Sequence, residues 1–387
     1  MSFNFQKQYD GDEIGTGTYK FVKLQDTEPV STTIIGFTGL TNSTGVLTWT
    51  DDIAGLSGYT TSTSGNLVTV SNASLDNRFP YNQITEMTDS SGNVLVKYPQ
   101  MYMSWVLDGS GNIDGVKFAN YQPDSTYFIS DAFMQYGDTT YSKFNDYFAL
   151  GKYEASGVST RAYSASGQIC LVYITRAQAR TACMANGSTY QQLDLAQFTL
   201  YNFLCMLYYR TSNIQNVYAG ATGLSRDSVT GTCDGITGLN GWNTDSTCVK
   251  MLGIENPYGN VFKWCDGVVF SSATIYAQRL PLYYSDTTSA IGSSSIGFSR
   301  PTTSNYVQYI KKGTSTTTQS YVYCSAVQAT ATEYEGDYCI YSSSGVVLYV
   351  GGRWNVGIRA GLWLLGGNYG ASKTYGDVGC RLSYRPN

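Results

Sequence analysis

The most specific pattern in the chain is Gly253-Ile-Glu-Asn-Pro-Tyr-Gly-Asn-Val-Phe-Lys-Trp-Cys-Asp266. Its Gly-Asn pair at positions 259 and 260 predicts a turn, because both residue types are common in turns. The apolar residues that follow, Val261, Phe262 and Trp264, predict that the next strand is seated in a core. A second glycine-rich pattern lies near the C-terminus and reads Gly351-Gly-Arg-Trp-Asn-Val-Gly-Ile-Arg-Ala-Gly361.

The composition is poor in charge and rich in small and aromatic residues. The chain has 387 residues, which is more than one ordinary domain. Its charged fraction of 13% is about half the roughly 25% that is typical of soluble domains. The 34 tyrosines and 41 glycines favour a recognition surface, because tyrosine offers a rigid amphipathic ring while Ser and Gly adapt. A β-rich protein with many turns explains the composition equally well.

Several function classes are excluded or disfavoured by composition alone. The chain has no histidine, which excludes serine-histidine, cysteine-histidine and histidine-zinc chemistry. A net charge of −4 without a basic run argues against a nucleic-acid partner. We expect no membrane insertion, because no stretch approaches the ~20 apolar residues of a spanning helix. The N-terminal residues, MSFNFQKQYDGDE, contain no apolar run and predict no signal peptide.

Cysteine usage indicates core packing and no metal cluster. Nine cysteines occur without a CxxC pair, and their odd number prevents complete pairing within one chain. Cys183 and Cys205 lie in apolar helical patterns and are interpreted as small core residues.

Residues 1–75 are predicted to form a small β-rich module for attachment or assembly. Polar turn clusters separate short candidate strands in this region, which are Tyr19–Leu24, Thr33–Phe37, Val46–Thr50 and Leu67–Val70. The second domain is expected to span residues 76–387.

Two helices are predicted in the second domain. Thr175 and Gln178 have the spacing of a capping box, and the helix that they begin is expected to run to Asn186. Asp194 is expected to cap a second helix, which extends to residue 210 with one apolar stripe. Strands are expected at 94–98 and 102–107, and mostly loops and short strands after about residue 212. This order of elements predicts an α+β fold.

The segment from Asp108 to Asp114 has the Asp, Ser and Asn spacing of a calcium loop. The twelfth position is Ala119, however, where an EF-hand requires a bidentate Glu. A polar hairpin turn is therefore predicted at this point. No cofactor is expected, and a structural calcium ion is left open.

Three segments together resemble the formylglycine-generating-enzyme type of C-type lectin fold. They are Phe148-Ala-Leu-Gly-Lys-Tyr-Glu154, the helix pair that begins at Ile174-Thr-Arg-Ala-Gln-Ala179, and the pattern at 253–266. The resemblance covers about Phe79 to the end of the chain. It implies that the second domain is a C-type-lectin-like domain.

The resemblance does not extend to the enzymes of that fold. Their reactive cysteine pair lies between a Gly-Gly-x-Trp motif and a later Gly-x-Arg, whereas residues 355–359 here are Asn, Val, Gly, Ile and Arg. Cys339 precedes the motif and Cys380 falls in the final predicted strand, so neither matches. Since that chemistry needs thiolates held together, we expect that the protein is not an enzyme.

Residues 351–384 resemble the variable region of proteins that are diversified by retroelements. In that family, adenine-directed mutagenesis rewrites Asn codons on a fixed framework, which here matches Trp354, Gly357, Ala360, Gly361, Trp363, Leu365, Gly379 and Arg381. Nine residues differ from the Asn or Tyr of the family pattern, and each of the nine can be encoded when the adenines of an AAC codon are randomised. Asn355 and Asn368 fit the pattern as unmutated positions. Lys373 cannot be encoded in this way and does not fit. The resemblance implies a ligand-binding set of Arg353, Asn355, Val356, Ile358, Arg359, Leu364, Gly366, Asn368, Tyr369, Tyr375 and Asp377.

The function that this resemblance implies is attachment. We expect a hypervariable adhesin at the tip of a phage tail fibre, with a location on a bacterial cell surface as the alternative. Its expected partner is a host bacterial surface protein or glycan, and a homotrimer is expected. Two alternatives remain: an oxidase of the same fold, and a calcium-dependent glycan lectin with a fixed site at Glu255, Asn256, Pro257, Asn260 and Asp266.

Overall fold

The computed structural model describes residues 32–41, 44–224, 227–330 and 337–386. The predicted strand Tyr19–Leu24 lies outside these residues. The strands of the first half are β1 Ile34–Thr38, β2 Thr48–Asp51, β3 Thr60–Ser64, β4 Leu67–Ser71, β5 Thr85–Thr88, β6 Val94–Pro99, β7 Tyr102–Leu107, β8 Ile113–Ala119, β9 Phe128–Ile129, β10 Tyr147–Gly151, β11 Ser156–Val158 and β12 Arg161–Tyr163. They are followed by α1 Arg176–Met184, β13 Tyr190–Gln192 and α2 Leu195–Tyr209. The remaining strands are β14 Gly241–Asn243, β15 Val249–Met251, β16 Ile254–Glu255, β17 Phe262–Ser271, β18 Thr274–Gln278, β19 Ser293–Ser299, β20 Asn305–Lys312, β21 Val322–Gln328, β22 Tyr338–Tyr341, β23 Val347–Val350, β24 Leu365–Tyr369, β25 Val378–Gly379 and β26 Leu382–Tyr384.

The prediction of an α+β, C-type-lectin-like fold is wrong, because the protein is mostly β-sheet. Strands hold 37% of the residues and helices 11%, and the part of the chain that the structure describes contains two α-helices. The sequence concealed many strands because their side chains are polar on both faces. All five residues of β3 are exposed, and only Ile296 of β19 is buried. Such strands lack the apolar alternation by which a strand is recognised in a sequence.

The largest sheet has nine strands in the described chain and carries the C-terminal region. Its order is β19-β18-β17-β23-β24-β22-β20-β21, and β25 pairs with β17. The strand predicted after the Gly-Asn turn is β17, in which nine of ten residues are buried. It pairs antiparallel with β23 and parallel with β25. The segments on either side of residues 351–361 are therefore fixed in one sheet.

Both predicted helices are confirmed, with their caps. The Thr175 hydroxyl accepts a hydrogen bond from the Gln178 N–H, and the Gln178 side chain accepts one from the Thr175 N–H. The Asp194 carboxylate accepts from the Gln197 N–H at the start of α2. Helix α1 ends at Met184, two residues before the predicted end. Helix α2 differs from the predicted single stripe, since all of its fifteen residues are buried. Because the helix is enclosed on all sides, apolar residues occur on every face, and three polar residues, Gln197, Thr199 and Asn202, are buried with them.

The predicted domain boundary at residue 75 falls inside a common core. Strand β1 pairs with β8, and β4 pairs with β14. The Trp49 indole N–H donates to the Leu207 carbonyl of α2 at 2.8 Å. From the C-terminal side of the chain, the Leu362 carbonyl accepts from the Asn202 amide of the same helix at 2.6 Å. Residues 34–71 therefore share their sheets and core with the rest of the described chain.

The predicted polar hairpin turn joins β7 and β8, and the Asp108 carboxylate accepts hydrogen bonds from the backbone N–H groups of Ser110 and Asn112, both at 2.8 Å. Cys183 and Cys205 are buried, as predicted. Within the described ranges, neither helix has the length and apolar character required to cross a membrane.

Candidate functional site

Two glycines fold the segment 351–361 tightly against the turn of the 253–266 pattern. Gly351 and Gly352 both have a φ of 89°, which favours glycine. A Cβ on Gly352 would lie 2.4 Å from the Cβ of Ala360, so the loop closes on itself. The Trp354 N–H donates to the Asn260 carbonyl at 2.9 Å. The glycine-rich loop is thus attached directly to the Gly-Asn turn.

The turn itself is held by a buried polar cluster. The Asn260 side-chain Nδ2 donates to the Glu154 carboxylate, and the Asn260 side-chain oxygen Oδ1 accepts from the Ser228 N–H at 2.7 Å. The Lys263 ammonium lies 2.6 Å from the other Glu154 oxygen. Burial lowers the pKa of Lys263, although the Glu154 carboxylate opposes that shift. This cluster fixes the base on which the loop stands.

The residues considered for a calcium-dependent sugar site are part of the same buried scaffold. Glu255, Asn256, Asn260 and Asp266 are each at most 1% exposed. The Asp266 carboxylate pairs with Arg180 at 2.6 Å. These residues therefore lie in the buried scaffold beneath the loop.

Glu255 also belongs to a group of three potential metal ligands, whose atoms are already engaged. Sγ of Cys233, Sγ of Cys248 and a Glu255 oxygen lie within 4.8 Å of one another. The two sulfurs are joined as a disulfide, and the Glu255 oxygens accept from the N–H groups of Gly231 and Cys233 at 2.7 and 2.9 Å. This group stabilises the loop 231–255.

Five residues of the predicted ligand-binding set lie on the loop above the turn. Arg353 and Val356 are partly exposed, whereas Asn355, Ile358 and Arg359 are exposed. Ile358 is 62% exposed and lies in a short 3-10 helix, Gly357–Arg359. The Arg359 guanidinium lies 4.8 Å from the centre of the Tyr338 ring, a distance at which a cation–π interaction forms.

A row of aromatic rings leads from the core to the surface next to this loop. The buried Tyr349 ring stacks on Tyr369 at 4.6 Å, and Tyr369 lies 4.7 Å from Tyr375. Tyr375 is 37% exposed. The Tyr349 hydroxyl donates to the Asn368 side chain at 2.6 Å. Because the Tyr349 and Tyr369 rings are packed, they support the Tyr375 ring in a fixed position at the surface.

Three members of the predicted set are buried, which removes them from the surface. Leu364 is 1% exposed and packs in the core cluster that contains Trp264. A Cβ on Gly366 would lie 2.1 Å from the Tyr349 ring, so the glycine makes room for that ring. The Asp377 carboxylate is 7% exposed and forms an ion pair with Arg353. The sequence pattern could not distinguish these positions from exposed ones, because it carries no information on which way a side chain points.

Sequence reasoning missed one prominent member of this surface, Tyr173. Its side chain is 72% exposed, and its N–H donates to the Tyr375 carbonyl at 2.9 Å. A Cβ on Gly376 would lie 2.5 Å from the Tyr173 hydroxyl oxygen, which places that ring over the glycine. Tyr173 is about 200 residues away in the sequence, so only the folded chain brings it to this place.

We call the resulting patch the C-terminal surface. It consists of Tyr173, Arg353, Asn355, Val356, Ile358, Arg359, Asn368, Tyr369 and Tyr375. It combines aliphatic side chains with Tyr and Arg side chains, and the latter two types are enriched among the residues that dominate binding energies at interfaces. Comparison of the chain with protein-family models and with curated proteins finds no match.

Proposed function

We propose that the protein is an adhesin that binds its target through the C-terminal surface. The observation that carries the proposal is the combination of an exposed anchor-type patch with a rigid base. Ile358 and Tyr173 are 62% and 72% exposed, although burial of either side chain would be favourable. The base beneath them is fixed by the Trp354–Asn260 hydrogen bond and by the buried Lys263–Glu154 pair. Binding residues on a rigid scaffold are typical of recognition proteins.

Support also comes from the chemistry that the described residues offer. The seven free cysteines are all buried, and burial raises the pKa of Cys170, Cys205 and Cys265. A thiol with a raised pKa is a poor nucleophile, because the thiolate is the reactive form. These thiols favour a binding function over an oxidase.

The proposal includes diversification by a retroelement. On this view the exposed positions of the C-terminal surface between 353 and 375 vary between sister copies, whereas Leu364, Gly366 and Asp377 are kept by their packing. The target is a protein or glycan of a bacterial host surface. We further propose that the protein acts as a homotrimer on a virion, at the tip of a tail fibre.

The test compares two sets of substitutions in the full chain. A triple variant, Ile358→Ser, Arg359→Ser and Tyr375→Ser, removes anchors from the C-terminal surface. The control is Ile291→Ser, whose side chain is 61% exposed and so matches Ile358. Binding of fluorescently labelled protein to a panel of candidate host bacteria is measured, together with melting temperature.

Loss of an interface anchor costs about 2 kcal/mol or more, which weakens binding by roughly thirtyfold. We therefore expect the triple variant to lose cell binding, while the control binds as the unmodified chain does. Both should keep their melting temperature, because exposed substitutions change stability by only about 0.5 kcal/mol. Unchanged cell binding by the folded triple variant would place the binding site elsewhere.

A further inference from the structure

A second concave site lies apart from the C-terminal surface. Strands β7 and β9, the turn at 131–133, Arg279 and the segment 316–320 line an open surface pocket with a volume of about 360 Å³. Small-molecule sites have volumes of roughly 300–1,000 Å³. None of the residues that line this cavity belongs to the C-terminal surface. We name it the Asp131 pocket.

The most buried part of the pocket is an ion pair. Asp131 is 4% exposed, and its two carboxylate oxygens accept from Nε and Nη2 of Arg279 at 2.8 and 3.0 Å. The guanidinium also lies 4.4 Å from the centre of the Tyr141 ring. Nη1 of Arg279 makes no hydrogen bond to another residue that the structure describes, so it remains a donor for a ligand. The position of this donor is fixed by the two bonds to Asp131.

The charges in the pocket cancel. Asp131 and Arg279 are the charged residues among those that line it, and they neutralise each other at hydrogen-bond distance. Burial raises the pKa of the Tyr127 hydroxyl to about 12, so this group stays neutral at ordinary pH. A charged ligand would lose its hydration without gaining a counter-charge. The pocket therefore favours a ligand without net charge.

The walls and the rim offer two different kinds of contact. Tyr102, Phe128 and Phe144 contribute aromatic rings to the walls. The half-buried Gln319 adds an amide group, and the exposed Gln122 adds an amide oxygen, because its Nε2 already donates to the Tyr127 carbonyl at 2.9 Å. Aromatic faces pack against apolar surfaces, and amides both donate and accept hydrogen bonds. A ligand that fits both must combine an apolar face with a hydroxylated edge.

We infer that the Asp131 pocket binds one ring of a neutral sugar. A pyranose has C–H faces that pack on the aromatic walls and hydroxyl groups along its edge that bond the amides, the Arg279 Nη1 donor and the Asp131 oxygens. The ring is small enough for a cavity of about 360 Å³. The site is independent of the proposed function of the C-terminal surface, because it rests on different residues and would have a fixed specificity.

The experiment measures binding of four neutral probes to the full chain. They are the methyl pyranosides of glucose, mannose, galactose and N-acetylglucosamine, with methyl glucuronide as a charged comparison. Saturation-transfer NMR detects binding, and indole fluorescence provides a second signal, because the Trp105 indole N–H donates to the Gln319 carbonyl at 3.1 Å. Titration calorimetry then gives the affinity of any probe that binds.

Two variants test the location of the site. Thr316 is exposed at the mouth, so Thr316→Trp should block the pocket and leave the core intact. Gln319→Ala removes an amide whose backbone carbonyl still serves Trp105. The control variant is Ile358→Ser, on the C-terminal surface.

We expect at least one neutral probe to bind, and the glucuronide to bind more weakly than the matching glucoside. Thr316→Trp should abolish binding, and Gln319→Ala should weaken it roughly fivefold, since a lost hydrogen bond costs about 1 kcal/mol. Ile358→Ser should bind sugar normally even if it abolishes attachment to cells. The inference is overturned if no neutral probe binds, or if binding survives in folded Thr316→Trp.

Discussion

Replacement of Gly366 by alanine tests whether this glycine belongs to the packed scaffold of the C-terminal segment. A Cβ at this position would lie 2.1 Å from Cε2 and Cζ of the Tyr349 ring. That ring cannot move freely, because it is 1% exposed and lies between Phe262, at 4.7 Å, and Tyr369, at 4.6 Å. The alanine must therefore displace a packed aromatic side chain.

The expected cost follows from two terms. Overpacking of a filled core costs about 1–3 kcal/mol. Movement of the ring also breaks the hydrogen bond from the Tyr349 hydroxyl to Asn368, which is 2.6 Å long and contributes roughly 0.5–1.5 kcal/mol. We expect Gly366→Ala to lower the free energy of unfolding by about 2–4 kcal/mol.

Gly370→Ala is the matched control for this measurement. No atom lies within 4 Å of a Cβ built on Gly370, and both substitutions reduce the entropy of the unfolded chain in the same way. Urea denaturation of the two variants gives the difference directly. Equal stability of the variants would refute the packing argument and would return Gly366 to the replaceable positions.

Three further predictions concern the scaffold. Trp264→Ala should lower the free energy of unfolding by ~3–5 kcal/mol, because the Trp264 ring is fully buried. Trp354→Ala should lower it by less, because the Trp354 ring is only partly buried. Thermal unfolding of both variants shows which one is the less stable. Lys263→Met should lower the free energy of unfolding by ~3–5 kcal/mol, because it leaves the Glu154 carboxylate buried without its partner. The double variant with Glu154→Gln should recover part of that stability, as measured by urea denaturation. Burial raises the pKa of Glu255 from its usual 4.5 to about 7, so the folded state binds this proton more tightly than the unfolded state does. The stability contributed by Glu255 therefore falls as pH rises from about 4.5 to 7. The free energy of unfolding, measured across that range, should decrease less in Glu255→Gln than in the unmodified chain.

The sequence was informative wherever the signal was local. The caps of α1 and α2 depend on residues three positions apart, and both capping residues, Thr175 and Asp194, were predicted from the sequence. The turn before β17 and the hairpin after Asp108 are equally local. In each case one side chain and the nearby backbone determine the conformation.

The fold class could not be predicted because it depends on pairing between distant strands. β1 pairs with β8, which lies about 80 residues later, and the parallel strands β22 and β24 lie before and after the loop 351–361 in the chain. Polar strands such as β3 gave no apolar pattern to reveal this pairing. The two capped helices gave the clearest patterns and so received too much weight in the sequence-based fold assignment.

The candidate site was predictable as a segment but not as a surface. Ile358 and Tyr375 are exposed as expected. Leu364 is buried in the core cluster that contains Trp264 of β17, and Gly366 is buried against the Tyr349 ring of β23. Tyr173 joins the surface through a backbone hydrogen bond to Tyr375. No spacing rule connects these two residues, because only the folded chain makes them neighbours.

The proposed adhesin function requires that exposed positions between 353 and 375 are replaceable on a fixed scaffold. Sequencing of many copies of the gene from a propagated population tests it most directly, together with the flanking DNA. The account predicts substitutions concentrated at the codons of Arg353, Asn355, Val356, Ile358, Arg359, Asn368, Tyr369 and Tyr375, with a near-identical template repeat nearby and with Leu364, Gly366 and Asp377 unchanged. Substitutions spread evenly over exposed and buried codons, without a template repeat, would contradict it.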